Sequence, residues 1–271
     1  MSKFVFIGGG NMASCLIGGM LANGVSEQDI LVGEPSAETR HKLEAMHGVE
    51  TTADNLSAAS AAETIILAVK PQVLGAVAES LAPALDHGPT VISIAAGMPI
   101  SALQNWLGTE LAIVRAMPNT PATVQTGATG LFANRSLAPN EKACVEKIFD
   151  AVGYTCWVQQ ETLIDAVTAV SGSGPAYFFL VYEAMLKVGQ ELGLDHQAAT
   201  DLTLHTALGA ARLALDSQLA PSELRQQVTS PGGTTQAAVE SFQSSGLEKV
   251  FRDAMCAAME RANQMSEDFS K

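Results

Sequence analysis

The chain has 271 residues, 47% of them hydrophobic and 16% charged, so it can bury a large core and does not read as disordered. A formal net charge of −13, with no basic run or polybasic tail, argues against a nucleic-acid partner, because phosphate contacts need clustered Lys and Arg. No continuous apolar stretch of about 18 residues occurs, which predicts neither export nor a membrane partner. The four cysteines, Cys15, Cys144, Cys156 and Cys256, are far apart and lack metal-ligand spacing, as expected of small buried hydrophobes in a reducing cytoplasm.

In chain order, Phe4-Val5-Phe6-Ile7 reads as a buried strand, followed by Gly8-Gly9-Gly10 and a helix over about 11–23. The glycines, with Asn11 and Ser14, mark a strand, turn and helix rather than a signal peptide. Ile30-Leu31-Val32 predicts a second strand and 37–46 a helix. Further strands are expected over 64–69, 90–94 and 112–114, with 130–133 and 155–158 extending the sheet at one edge. Such strand–helix alternation implies a parallel sheet covered on both faces. After Glu161 the strand-like runs stop, and helices are predicted from Pro175 onward and over 196–217, 221–228, 235–244 and 247–266. The run Tyr177-Phe178-Phe179-Leu180-Val181-Tyr182 is apolar all round and must be buried on every side, which calls for a second subunit. The expected fold class is α/β. A Rossmann-type doubly wound, mostly parallel sheet over 1–160 binds a dinucleotide, and an all-helical domain follows over 161–271.

Ile7-Gly8-Gly9-Gly10-Asn11-Met12-Ala13 fits G-x-G-x-x-G/A between a strand and a helix. Gly8 allows the tight turn, Gly10 admits the pyrophosphate, and Ala13 lets helix and strand pack closely. The helix N-terminus then offers free N–H groups and the positive end of its dipole. Ile7, Gly8, Gly9, Gly10, Asn11 and Met12 are therefore expected to bind the cofactor. Glu34 ends the second strand, where an acid can hold the ribose hydroxyls and favour NADH. No Arg or Lys follows before Arg40 to take a 2′-phosphate. The alternative for Glu34 is a solvated loop carboxylate.

Four further segments go beyond a generic dinucleotide fold. They are Ala68-Val69-Lys70-Pro71, Met117-Pro118-Asn119-Thr120-Pro121-Ala122, Ser171-Gly172-Ser173-Gly174-Pro175-Ala176-Tyr177, and Thr229-Ser230-Pro231-Gly232-Gly233-Thr234-Thr235. On these motifs, in their order and spacing over essentially the whole chain, the sequence resembles the pyrroline-5-carboxylate reductases. The resemblance implies reduction of 1-pyrroline-5-carboxylate to L-proline, the last step of proline biosynthesis, by hydride transfer from NADPH or NADH to the imine carbon. It also implies a homodimer formed through the C-terminal helices, with a larger ring such as a decamer as the further assembly.

The residues have a chemical logic within that resemblance. Ala68, Val69, Lys70 and Pro71 lie at the C-terminal end of a parallel strand, where open α/β sheets bind ligands. Lys70 either contacts the cofactor, orients the loop or is a surface cation. Ala95 and Ala96 follow the next strand and are assigned to the same cofactor site. Asn119 and Thr120, between two prolines, either line the nicotinamide pocket or only stiffen the turn. Ser230, Gly232, Gly233, Thr234 and Thr235 are expected to bind the substrate. Glycines let backbone come close, a helix N-terminus suits a small carboxylate, and the Thr235 hydroxyl can sit beside the ring nitrogen as the catalytic contact. The alternative is a helix cap built from Ser, Gly and Thr. The resemblance further implies that Glu161 lies near the substrate, Asn55 on the adenosine side of the cofactor, and Gln227 near the bound ligands. Gln227 stands where members of the family often carry Asn. Glu34 stands where others carry Ser or Asn-Arg, which leaves the choice between NADPH and NADH open.

None of His41, His47, His87, His196 and His205 falls in a motif, and no metal is expected. Two other readings remain at this point. A β-hydroxyacid dehydrogenase shares the architecture but uses a helical Lys shortly after a Gly-rich segment. Here Tyr177 and Phe178 follow that segment, and Lys187 comes some turns later. A non-catalytic dinucleotide-binding protein would have no need of the loop from Ser230 to Thr235.

Overall fold

Strand residues that alternate between two apolar faces organise the first half of the chain. In this computed structural model, which describes residues 3–108, 111–135 and 137–269, β1 (Phe4–Ile7) sends Phe4 and Phe6 into one core and Val5 and Ile7 into another. The first core is closed by α1 (Asn11–Ala22) through Ala13, Leu16, Ile17 and Met20. After β2 (Ile30–Gly33) come α2 (Ala37–His47), β3 (Glu50–Thr52), α3 (Asn55–Ala59) and β4 (Thr64–Leu67). The second core is closed by α4 (Pro71–Leu81) and, beyond β5 (Thr90–Ser93), by α5 (Ile100–Leu107), which bury Leu74, Ala78, Leu81, Leu103 and Leu107. Then follow β6 (Ala112–Met117), β7 (Gly127–Ala133), α6 (Pro139–Asp150), β8 (Gly153–Trp157) and α7 (Leu163–Val167), which runs into a π-helical turn over Thr168–Gly172.

The eight strands lie in the order β3-β2-β1-β4-β5-β6-β7-β8. Every pairing is parallel except β6 with β7. This is the doubly wound sheet expected from the sequence. Three local differences have simple causes. Strand β3 was not anticipated because Glu50-Thr51-Thr52 carries no apolar run and lies at the sheet edge. Strand β4 ends at Leu67 rather than Val69, because the chain must turn toward Pro71, which opens α4. Strand β6 runs on to Met117 because β7 pairs with it there.

By internal contacts the chain forms two units, one holding everything up to Pro175 and from Ala257 onward, the other Ala176–Cys256. The exit from the sheet is tight. A Cβ on Gly130 would fall 2.6 Å from Val167, and one on Gly172 2.5 Å from the methyl of Met117. The last part of α12 (Leu247–Phe269) belongs to the first unit, where Met265 packs on Gly97.

The second unit is helical, with α8 (Gly174–Glu191) crossing into it, then α9 (His196–Asp216), α10 (Pro221–Gln227), α11 (Thr234–Ser244) and the start of α12. Asp195 caps α9 by accepting the Ala198 N–H at 2.8 Å. Within one chain the apolar run of α8 is not buried on all sides as expected. Phe178 is 61% exposed, Leu180 67% and, on α9, Leu215 85%. Residues 163–191 are also long and apolar enough to cross a membrane by length and composition.

Candidate active site

Parallel register brings the C-terminal strand ends level. Ile7 lies opposite both Gly33 and Leu67, and Leu67 lies opposite Ser93. The segments that leave the sheet there are Gly8 to Met12, Glu34, Ala68 to Pro71, and Ala95 with Ala96. Asn119 and Thr120 follow β6 at the same edge, and Asn55 opens α3 after β3. The connections diverge between β1 and β4, and open α/β sheets form their ligand crevice at that switch point.

Gly8 is indispensable to the turn. Its φ is +100°, and a Cβ there would lie 2.9 Å from the Ala68 carbonyl oxygen. Its N–H donates to Gly33 O, while Ala68 N–H donates to Ile7 O, both at 2.8 Å. The Ile7 side chain is wholly core, so Ile7 supports the turn by backbone alone. Gly9 packs on Leu43 of α2, whereas Gly10 faces open space. Gly10 also caps α1 without a side-chain bond, and the first intrahelical bond is Ser14 N–H to Gly10 O at 2.9 Å. The N–H groups of Asn11, Met12 and Ala13 are left pointing out of the helix end.

Glu34 is not a free loop carboxylate. Its two oxygens accept the N–H groups of Gly9 and Ser36, each at 2.9 Å. Arg40 donates to the carbonyls of Glu34 and Pro35, which fixes that corner through backbone and aims no charge at the Glu34 carboxylate. Asn55 Oδ1 is buried with no hydrogen-bond partner among the described residues, packed against Gly33, which has no side chain. Open helix N–H groups, bare space over Gly10 and an unsatisfied amide oxygen fit a dinucleotide laid across this edge. Lys70 is exposed and caps α4, with Pro71 in its first position. Asn119, by contrast, is buried and fully engaged. Its Oδ1 accepts Ala128 N–H at 2.9 Å, and its Nδ2 donates to Ser171 O at 3.0 Å. Its amide holds the π turn to the sheet, and the exposed Thr120 is the member of the pair open to a ligand.

A buried charge cluster lies beside this edge. Arg115, on β6 and 5% exposed, donates to Glu161 Oε1 at 2.9 Å and faces Asp165 Oδ1 at 3.5 Å. Glu161 Oε1 also accepts Ile100 N–H at 2.8 Å, so it caps the start of α5. Burial pushes the Asp165 carboxyl up, partly offset by Arg115, and the nearby Glu161 charge adds to the rise. Glu161 is thus tied to the frame of the site through Oε1. Sequence reasoning missed Arg115, although a lone Arg inside the apolar run of β6 is itself a signal for a buried partner.

In the other unit, the loop that holds Ser230 to Gly233 links α10 to α11, and Thr234 and Thr235 open the helix. Gly232 adopts φ +71°. Its N–H donates to Gln236 Oε1 at 2.7 Å, and the Gly233 N–H donates to Ser230 O at 3.0 Å. Helix α11 begins at Thr234 with Gly233 as its cap and no side-chain cap bond. Thr235 is therefore not the cap, and its hydroxyl and N–H take no partner among the described residues. The first intrahelical bond is Ala237 N–H to Gly233 O at 3.3 Å. Gln227 closes α10 and is exposed.

A cavity of about 500 Å³ on the outer face of α1 shares only Asn11 with these assignments. Ser14 Oγ and His47 Nε2 meet there at 2.8 Å, and burial lowers the pKa of His47. Among the described residues no cluster of three or more His, Cys, Asp or Glu is placed to hold a metal ion.

Comparison with known proteins bears on both halves. Residues 161–265 match the family model described as pyrroline-5-carboxylate reductase dimerisation, and residues 3–97 match one described as NADP oxidoreductase, coenzyme F420-dependent. The pyrroline-5-carboxylate reductase of Pseudomonas aeruginosa is 46% identical over 269 residues, covering 99% of this chain and 98% of that protein. The enzyme of that name from Pasteurella multocida is 43% identical, covering 97% and 98%. The solved pyrroline-5-carboxylate reductase of Coxiella burnetii superposes with a TM-score of 0.94 at 44% identity, covering 98% of each chain. The Plasmodium falciparum pyrroline carboxylate reductase, solved with NADP bound, gives 0.86 at 29% identity, also covering 98% of each. Identity at this level along the full length sets aside the β-hydroxyacid dehydrogenase and non-catalytic readings, and the chain belongs to the pyrroline-5-carboxylate reductase family.

Proposed function

We propose that this protein reduces 1-pyrroline-5-carboxylate to L-proline with NADPH or NADH, as the last step of proline biosynthesis in the cytoplasm. The observation that carries the reading is the open N-terminus of α11 behind Ser230, Gly232 and Gly233, with the Thr235 hydroxyl uncommitted. A helix end of this kind suits a small carboxylate, and a hydroxyl beside it suits a ring nitrogen.

When bound, NAD(P)H supplies the hydride. The chain's own residues bind and orient. The N–H groups of Asn11 and Met12 hold the pyrophosphate, with Gly8, Gly9 and Gly10 shaping the turn on which Ile7 ends. Glu34 and Asn55 take the adenosine side, while Ala68, Val69, Lys70, Pro71, Ala95, Ala96 and Thr120 line the edge toward the nicotinamide. Asn119 holds that edge in shape. The N–H groups of Thr234 and Thr235, with Ser230, hold the substrate carboxylate. Thr235 Oγ1 hydrogen-bonds the ring nitrogen, and Glu161 supports the site through Arg115. A protonated imine accepts hydride at carbon while its nitrogen keeps the proton and becomes the amine. Alignment therefore supplies most of the catalysis, and no strong acid is needed.

The exposed apolar faces of α8 and α9 support a homodimer formed through the helical domain, here taken as 161–271 behind a dinucleotide-binding domain of 1–160, with a larger ring such as a decamer built from dimers. A second copy, rather than a membrane, is the occupant we assign to the apolar run over 163–191. The test is the pyrroline-5-carboxylate-dependent oxidation of NAD(P)H with equimolar L-proline formed, repeated with Thr235→Ala. A hydrogen bond to a charged group is worth about 1.5–3 kcal/mol, so kcat/KM drops roughly 10- to 150-fold while NAD(P)H affinity barely moves. A normal kcat/KM in that variant would remove Thr235 from the chemistry.

A further inference from the structure

Gly232 adopts a left-handed conformation at the centre of the loop that precedes α11. Its N–H points back over the first turn of that helix and is taken by Gln236 Oε1 at 2.7 Å. The other end of the same amide, Nε2, donates to Glu240 Oε1 at 2.7 Å, one turn further along. The amide is therefore held the right way round. A carboxylate at 240 can only accept, so it binds the NH₂ end and leaves the oxygen for Gly232. We propose that Gln236 is a positioning residue for substrate binding, oriented by Glu240, which fixes the Gly232 turn so that the N–H groups of Thr234 and Thr235 converge on the substrate carboxylate. The inference rests on the function proposed above.

The choice of side chain follows from charge. Glutamate at 236 could accept the same N–H, but it would put a second anion next to Glu240 and beside an anionic substrate. Lysine has no acceptor to offer. Glutamine is the side chain that reaches one turn back and satisfies Gly232 without adding charge. The relay also decides which donors remain. Gly232 N–H goes to Gln236 and Gly233 N–H to Ser230 O, so the loop glycines shape the site and the threonines are left to bind. Beside the relay lies a cavity of about 350 Å³ lined by Gln236, Glu240, Arg225 and Thr229, so the amide has room to swing if its tether is lost.

Steady-state kinetics and melting curves on the intact protein test this, with wild-type turnover measured first. Without wild-type turnover the functional proposal itself fails; with it, the variants report on the relay alone. Gln236→Ala should raise KM for pyrroline-5-carboxylate about 3- to 10-fold, the loss of one hydrogen bond, with KM for NAD(P)H within about twofold of wild type. The sharper pair is at 240. Glu240→Lys replaces an acceptor with a donor, turns the amide round and should raise KM for the substrate, although a new positive charge near an anion site would by simple electrostatics lower it. Glu240→Gln keeps an acceptor and should raise KM less than Glu240→Lys does. An unchanged KM in a folded Gln236→Ala, or a lowered KM in Glu240→Lys, overturns the proposal. If Gln236→Ala does not fold, the order of the two Glu240 variants decides.

Discussion

Removing Arg115 is the perturbation whose outcome the geometry fixes most tightly. Its guanidinium is buried on β6, with Glu161 at 2.9 Å and Asp165 at 3.5 Å. The Asp165 side chain is 9% exposed and the Glu161 side chain 30%. Breaking a buried ion pair by deleting one partner typically costs about 3–5 kcal/mol, because a charge is left desolvated. Glu161 keeps some solvent and the Ile100 N–H, so Arg115→Met should cost about 3 kcal/mol, most of it from stranding Asp165. The same change in a Glu161→Gln/Asp165→Asn background strands no anion. There it should cost no more than about 1 kcal/mol, a coupling of about 2 kcal/mol. Both tryptophans, Trp106 and Trp157, lie in the unit that contains the sheet, so urea unfolding followed by tryptophan fluorescence reports on the relevant part. Protomer concentration must be held fixed, since association contributes to stability. A cost below about 1 kcal/mol for Arg115→Met, or equal costs in the two backgrounds, would refute the claim that this cluster is a buried, coupled brace.

Glu34→Ser removes the carboxylate that sits on the Gly9 and Ser36 N–H groups, and should raise kcat/KM for NADPH relative to NADH by about 10-fold, or about 1.4 kcal/mol; an unchanged ratio would take Glu34 out of cofactor selection. Burial lowers the pKa of His47 below its ordinary 6.5, so the folded chain binds fewer protons than the unfolded one between those two values. Stability from this group is therefore present above 6.5 and is lost as pH falls through the window beneath it. His47→Gln should flatten that slope in pH-dependent unfolding, and an unaltered slope would exclude the burial of His47 as its source. Sedimentation at micromolar concentration should find dimers or larger species, because the exposed apolar faces of α8 and α9 exceed what a monomer keeps in water; a folded, active monomer would contradict that reading.

The sheet was legible because each central strand is a short apolar run and each connection a helical one. Phe4 to Ile7 and Thr64 to Leu67 declare themselves as continuous apolar runs and by the glycine or proline that follows. Strand β3 did not, since a polar edge strand forms by pairing with β2 and not by its own composition. The glycine turn was legible for a steric reason, which the closeness of Gly8 to Ala68 makes explicit. Side-chain commitments were not legible. Nothing in the sequence says that Asn119 spends both ends of its amide on Ala128 and Ser171, that Glu34 folds back onto Gly9, or that Glu161 reaches Arg115 across 46 positions of sequence. Those bonds depend on which segments the sheet order makes neighbours. The helical half was readable as helices, whereas the exposure of its apolar faces emerges only when one chain is seen alone.

The central claim is direct reduction of the cyclic imine at this site. Its most direct test uses NAD(P)H deuterated on each face of nicotinamide C4 in turn, together with pyrroline-5-carboxylate, followed by mass spectrometry and NMR of the product. The account predicts L-proline carrying a single deuterium on the ring carbon that was the imine carbon, from one cofactor face only, with none lost to solvent. Unlabelled proline from both labelled cofactors, label appearing in water, or no proline at all would contradict it.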